Sequence, residues 1–168
     1  SSDLAVSGNK RAFDELVRRY QSPVRRFFLH QTLGDSQLSD DLAQDTFIKA
    51  YTSIASFRGL ASFQTWLMRI AYNVFYDYTR SHRQTEDVEQ QPERSASTNP
   101  TLHMDIYNAL ALLKEDERTC ITLQLIDGYD IQKIAQITQM KEGTVKSHLS
   151  RGKEKLANYL RQNGYDRR

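Results

Sequence analysis

Residues 63–80 read FQTWLMRIAYNVFYDYTR, and their spacing decides the fold class. At about 100° per residue, Phe63, Leu67, Ile70, Ala71, Val74 and Tyr78 share one face of a helix. That face is a core stripe. Trp66, Arg69, Asn73, Asp77 and Arg80 lie on an adjacent face about 110° away, with Tyr76 at its margin. Salt bridging on a surface helix accounts for the charged members of this second face. It does not account for the aromatic density around it: Phe57, Phe63, Trp66, Tyr72, Phe75, Tyr76 and Tyr78. Aromatic rings interleaved with cations are what unstacked single-stranded bases require. On periodicity alone, both readings stand.

The helical period continues on both sides. Upstream, Asn9 is expected to cap a helix over Lys10–Leu29, with the stripe Phe13, Leu16, Val17, Tyr20, Val24, Phe27 and Phe28. Ser39 is expected to cap a second helix, Asp40–Ser53, with the stripe Ala43, Phe47, Ala50, Tyr51 and Ile54. Its other face carries Asp41, Gln44, Asp45 and Lys49. First-turn acids suit a helix dipole, which covers Asp40 and Asp41 better than Asp45. A loop over Ser56–Ser62 contains Arg58-Gly59.

Downstream, Met104–Leu113 and Asp116–Ile126 read as helices, and Cys120 as a small buried hydrophobe. Gly128 supplies a left-handed C-cap, and Asp130 caps a short helix over Ile131–Ile137. After a turn at Gln139–Lys141, a basic helix runs from about Glu142 to Leu160. Val145, Leu149, Gly152, Leu156 and Leu160 fall within about 80° of one another. They are expected to pack on Ile131, Ile134, Ala135 and Leu125. Lys146, Ser147, Ser150 and Arg151 point the opposite way. Short helix, tight turn and longer helix form a helix-turn-helix. Small hydroxyls let a helix enter a major groove, and flanking cations reach guanine edges or phosphates.

Alternating strand patterns are missing, so the fold class is all-α. Residues 83–100, RQTEDVEQQPERSASTNP, hold one aliphatic residue, Val88, and are too polar to offset their ordering entropy. They read as a flexible linker between two small helical domains, 1–82 and 101–168.

Composition sets limits on function. The chain has 168 residues, 39% hydrophobic and 26% charged, with mean hydropathy −0.66. This is a globular composition with no apolar run near the roughly 20 residues of a spanning helix. No secretory signal opens the sequence, and no direct membrane insertion is expected. A single cysteine excludes an internal disulfide framework and a Cys-based zinc site. The simplest compartment is a reducing cytoplasm. The net charge of +2 hides blocks: acidic over 35–45 and 84–94, basic over 10–26 and 141–168. Blocks of opposite sign indicate separate surfaces with separate partners, though a solvated helix face explains any one of them equally well. His30, His82, His103 and His148 are scattered, and no phosphate loop, HExxH or nucleophile elbow appears. No catalytic residue, metal or cofactor is expected.

These motifs resemble the bacterial RNA polymerase sigma factors of the extracytoplasmic-function (ECF) type, of the sigma-70 family. SDDLAQDTFIKAY, from Ser39, resembles region 2.2. SFRGLASFQTWLMRIAYNVFYDYTR resembles regions 2.3 and 2.4, and GYDIQKIAQITQMKEGTVKSHLSRGKEKL resembles region 4.2. The resemblance implies a region 2 helical bundle and a region 4 helix-turn-helix joined by the linker. It implies that Asp41, Gln44, Asp45 and Lys49 face the β′ clamp helices of core RNA polymerase, with the β flap as a second contact. It implies that Arg58, Gly59 and Ser62 hold a flipped base of the −10 element. Trp66, Arg69 and Asn73 would line the adjoining strand-separation surface. Lys146, Ser147, Ser150 and Arg151 would read the −35 element. Promoter DNA and an anti-sigma factor are the other implied partners. Three departures stand out: Leu113-Lys114-Glu115 replaces a usual Leu-Pro, the loop reads RGLAS, and His148 replaces a common arginine. A stand-alone helix-turn-helix regulator remains the alternative, but it leaves the aromatic face of 63–80 without a role.

Overall fold

The computed structural model describes residues 10–83 and 100–164. In chain order the helices are α1 (Lys10–Gln31), α2 (Ser36–Ser53), α3 (Phe63–Arg83) and α4 (Pro100–Ala111). They continue as α5 (Glu115–Ile121), α6 (Ile131–Thr138) and α7 (Glu142–Gln162). A 3₁₀ turn, Ile54–Ser56, follows α2, and a π-helical turn, Thr122–Ile126, continues α5. Among the described residues there is no strand, and no helix is long and apolar enough to cross a membrane. The expected cap Asn9 and most of the 83–100 segment lie outside the described residues.

Several helix ends differ from expectation: α4 runs Pro100–Ala111 rather than Met104–Leu113, α3 continues to Arg83, and α2 begins before Asp40. The cap of α2 is Asp35, whose Oδ1 accepts from Leu38 N at 3.1 Å. Ser39 sits inside the helix, fully buried, and shares a 2.8 Å hydrogen bond with Thr32 Oγ1. The segment offers two capping residues, and the earlier one wins because it adds a turn of helix. Consequently α2 buries Ser39, Leu42, Thr46 and Ala50, while Phe47 is half-buried and Tyr51 is 46% exposed. Ser39 and Thr46 tolerate burial because their hydroxyls are satisfied; Thr46 Oγ1 donates to Leu42 O at 2.8 Å. In the second domain, α5 widens into the π turn, and Leu125 points outward, 56% exposed. Leu160 is 44% exposed because α7 outruns the two short helices beneath it. Neither leucine belongs to the core stripe in which it was expected.

The expectations at Gly128, Asp130, Cys120 and the first three positions of the α7 stripe hold. Gly128 has φ +80°, and Asp130 Oδ1 accepts from Lys133 N at 2.8 Å. Val145, Leu149 and Gly152 are buried against α5 and α6. Glu117, in α5, is 1% exposed, yet it accepts from Lys155 Nζ at 2.6 Å and from Lys114 N at 3.0 Å. A buried charge survives when it is paired and hydrogen-bonded in this way. Cys120 is fully buried, and burial, followed by the nearby Asp116 carboxylate, pushes its thiol up to about 12. It behaves as the small hydrophobe the sequence indicates.

The largest departure is in α3. Besides Leu67, Ala71 and Val74, it buries Thr65, Met68, Tyr72 and Phe75, a second face absent from the predicted stripe. The second domain covers that face: α6 packs along α3, and α1 meets α5 and the π turn. Gln31, 3% exposed, donates through Nε2 to Thr122 Oγ1 at 3.0 Å and accepts from Thr119 Oγ1 at 3.2 Å. Gln64 Nε2 donates to the Tyr129 hydroxyl at 2.9 Å. Arg83 donates to Glu115 Oε2 at 3.0 Å. The two domains therefore share one continuous core.

His30 lies one turn beyond Arg26 on α1, with Nδ1 buried and without a hydrogen-bond partner among the described residues. Burial, then the Arg26 cation, holds its imidazole down to about 4, against about 6.5 when free. Between those values the unfolded chain takes up the proton and the folded chain does not. Stability is therefore lost as pH falls from 7 toward 4, and the loss levels off below 4. After discounting for partial solvent access, the loss is about 1–2 kcal/mol. Denaturant melts of wild type and His30→Gln at pH 7 and 5 measure it. The variant should lose less stability on acidification, and parallel losses would show that His30 is not the source.

Candidate nucleic-acid and polymerase interfaces

The loop between the 3₁₀ turn and α3 closes over a cavity of about 480 Å³. Phe57, Arg58, Gly59, Leu60, Trp66 and Arg69 line it, with Gln136 of α6 as a wall. Gly59 has φ +73° and no atom near its missing Cβ, so this glycine serves the turn rather than a close contact. Ser62 Oγ accepts from Thr65 N at 3.1 Å and so caps α3. Trp66 packs tilted against Phe57, with ring centroids 5.4 Å apart, and against Phe63 at 5.5 Å. Such a wedge of rings presents a preformed apolar wall, and two guanidiniums supply charge for a phosphate backbone.

Of the residues expected to hold unpaired bases, the structure gathers Arg58, Gly59, Trp66 and Arg69 around one cavity. Ser62 supports it from beneath as a cap. Asn73 stands apart, exposed further along α3. Leu60, outside the expected set, is 93% exposed at the loop tip. An apolar side chain so placed is suited to contacting a base face, and its position in RGLAS directly after the turn glycine was the available signal.

On α2, Asp41, Gln44, Asp45 and Lys49 are all exposed on one face, as expected. Ile48, 55% exposed, lies among them. Beside this face a groove of about 480 Å³ is lined by Phe13 and Val17 of α1 and Gln44, Phe47, Ile48 and Tyr51 of α2. Phe13 and Tyr51 meet edge-to-face at 4.8 Å. Phe13, Val17, Phe47 and Tyr51, expected in the core, are only partly covered because this groove is half-open.

In the second domain, α6, the left-handed Gln139 at φ +60° and α7 form the helix-turn-helix. Lys146, Ser147, Ser150 and Arg151 are all exposed along the outer face of α7. Ser147 Oγ donates to Gly143 O at 3.1 Å, which keeps that side chain low on the helix. His148 is half-buried instead, its Nε2 4.0 Å from Asp116 Oδ2. It lies beside the exposed face of Lys146, Ser147, Ser150 and Arg151 rather than on it.

A helical bundle with a loop cavity lined by Phe57, Trp66, Arg58 and Arg69, joined to a helix-turn-helix with an exposed basic face, is the arrangement of a DNA-binding protein. Family models agree: residues 16–85 match Sigma-70 region 2, and residues 103–156 match Sigma-70, region 4. The chain belongs to the sigma-70 family of RNA polymerase sigma factors, ECF type. It is 34% identical to the RNA polymerase sigma-H factor of Pseudomonas aeruginosa, covering 89% of this chain and 86% of that one. It is 33% identical to the ECF RNA polymerase sigma-E factor of Haemophilus influenzae, covering 91% and 89%. Among solved structures it resembles the sigma factor RpoE, in complex with the anti-sigma factor NepR, from Bartonella quintana. There the TM-score is 0.75 at 27% identity, over 90% of this chain and 98% of that one. It also resembles CnrH in complex with the cytosolic domain of CnrY, at TM-score 0.74 and 25% identity, over 97% and 96%. The protein is a promoter-specificity factor that binds core RNA polymerase and promoter DNA for transcription initiation.

Proposed function

We propose that the two specificities divide between the domains: 1–82 for core polymerase and the −10 element, 101–168 for the −35 element, and 83–100 as the tether. The tether lets both domains engage separated elements while polymerase and DNA fix the spacing. The observation that carries the −10 assignment is the cavity that unites Arg58, Gly59, Trp66 and Arg69. Extracting a base costs a few kcal/mol of unstacking, and stacking on rings returns about 1–3 kcal/mol per base. The chain therefore captures an opened strand rather than forcing duplex apart, and the bond-making chemistry belongs to the polymerase. Lys146, Ser147, Ser150 and Arg151 read duplex through the major groove.

The α2 face of Asp41, Gln44, Asp45 and Lys49 meets the β′ clamp helices, with the β flap as a second contact. Ile48 in the middle of that face supports this reading, because exposed apolar residues inside a polar rim mark protein contacts. An anti-sigma factor is a further partner, since the RpoE relative is a complex with the anti-sigma factor NepR and CnrH is likewise held by a second protein, the cytosolic domain of CnrY. The site of action is the cytoplasm.

The test is transcription by purified core polymerase from randomised promoters, with and without the chain. Recovered start sites that share two spaced elements support the reading. Core binding without stimulation argues for a decoy, and no core binding argues for a stand-alone regulator. Asp45→Arg should weaken core-polymerase affinity roughly 10- to 100-fold and leave helix content unchanged. Undiminished affinity would remove Asp45 from that face.

A further inference from the structure

The basic block over residues 10–26 has no part in the interfaces described above. Folded into α1, it becomes one exposed surface. At about 100° per residue, Arg11, Arg18, Arg19, Arg25 and Arg26 fall within about 120° of arc, opposite the core face of Leu16, Val24 and Phe27. Arg11, Arg18 and Arg25 recur at seven-residue steps, as do Arg19 and Arg26, and each step is about 10.5 Å along the axis. Within this arc of α1 the only carboxylate is Glu15. Two of the five cations are held by acids: Arg25 by Asp40 at 2.7 Å and Arg26 by Asp127 at 2.9 Å. Arg18 and Arg19 are exposed and make no ion pair among the described residues. Like charges gathered on one face repel one another, and no described contact of Arg18 or Arg19 offsets that cost.

The stripe adjoins the loop cavity. α2 packs along the flank of α1 that carries Val17, Gln21 and Arg25. Arg19 stands on the opposite flank, about 160° round, and one turn beyond buried Leu16. Leu16 packs with Ile54, Tyr20, Phe63 and Trp66. The Tyr20 ring lies 5.2 Å from that of Phe63, which meets Trp66 of the cavity wall at 5.5 Å. A row of rings therefore runs from the cavity to the residue beside Arg19. Surfaces that hold single strands combine these two elements, cations along the phosphates and rings against the bases. We propose that Arg18 and Arg19 hold the phosphate backbone of the same unpaired strand whose base enters the cavity, so that the single-strand site extends across α1 rather than ending at the loop. The inference rests on the cavity's assignment to unpaired bases. A guanidinium offers a planar fork of donors that matches a phosphate. Such contacts carry no sequence information; they fix the register of the strand and add affinity.

The test uses holoenzyme assembled from purified core polymerase and the full chain. It is titrated across a salt series with two fluorescent single-stranded oligonucleotides, one carrying the −10 sequence recovered from the randomised promoters and one scrambled. The chains compared are wild type, the double variants Arg18→Gln/Arg19→Gln and Arg18→Lys/Arg19→Lys, and Trp66→Ala. Core-polymerase affinity is measured separately for each. A phosphate contact on a single strand contributes about 0.7 to the slope of log affinity against log salt. The glutamine pair should therefore flatten that slope by about 1.4 and weaken both oligonucleotides about tenfold near 0.1 M salt. The ratio between the two oligonucleotides and the affinity for core polymerase should not change. The lysine pair keeps both charges and should stay within about twofold of wild type. Trp66→Ala should weaken the −10 sequence and leave the slope as it is. An unchanged slope in the glutamine pair overturns the proposal. So does a loss of core-polymerase affinity with oligonucleotide binding unaltered, which would set the stripe against an acidic protein surface and leave the base-binding assignment standing. If Trp66→Ala binds both oligonucleotides as wild type does, the assignment of the cavity fails, and the continuous strand site fails with it.

Discussion

Replacing Lys146 and Arg151 together by alanine should lower promoter affinity by roughly 100-fold or more, because each base or phosphate contact contributes about 1–3 kcal/mol. Both side chains are exposed on the outer face of α7, and neither supports the fold through a described ion pair. The loss should therefore be specific to DNA. Core-polymerase affinity and thermal stability should stay within error of wild type. Salt dependence separates the two contact types. A cation on a phosphate takes about one unit off the slope of log affinity against log salt. A cation on a guanine edge relaxes specificity at one base position instead. Holoenzyme binding to −35 duplexes across a salt series reads both effects. Equal losses of promoter and polymerase binding would remove α7 from the −35 element.

Gly152→Val should destabilise the second domain by about 2–3 kcal/mol through overpacking. A Cβ at Gly152 would sit 2.6 Å from Ile121 Cγ1 and 3.0 Å from its Cδ1. Ile121 is only 2% exposed, so it has no open space to retreat into. Glycine ordinarily costs about 1 kcal/mol in a helix interior relative to alanine. Here the close approach of α7 to α5 outweighs that cost. For a domain of this size, each kcal/mol lowers Tm by roughly 4–8 °C. A fall of about 10 °C or more in a calorimetric scan is expected, with Gly152→Ala intermediate. An unchanged Tm would mean that α5 and α7 sit further apart than the structure has them. Because α7 carries the face proposed to read the −35 element, the valine variant should also bind −35 duplex poorly, but it should recover at low temperature, which the Lys146/Arg151 double variant should not do.

Much of this protein is written in local patterns. The helix-turn-helix is legible because its signals are short-range: Asp130 caps, Gly128 takes a positive φ, and the stripe of Val145, Leu149 and Gly152 follows a 3.6 period. The aromatic loop is legible because Gly59 marks a turn beside Phe57, Phe63 and Trp66. Ser39 shows where local rules tie. Asp35 and Ser39 are both competent caps, and nothing local ranks them. Leu125 was misread for a different reason, since the widening of α5 into a π turn changes which side chains face inward, and no periodicity announces it.

Sequence alone thus determined the helical class, the helix-turn-helix and which face of α2 and of α7 is polar and exposed, because all three follow from residue spacing along one helix. Tertiary structure alone decided which apolar residues are covered. Met68, Tyr72 and Phe75 are buried on a face of α3 that its own domain does not require, and Gln31 is buried because Thr119 and Thr122 satisfy its amide from the other domain. It also decided that Asp127 meets Arg26 and that Gln136 reaches Arg69, across 101 and 67 positions of sequence respectively. Such pairings depend on how two finished surfaces fit together, and no spacing within either surface encodes that fit.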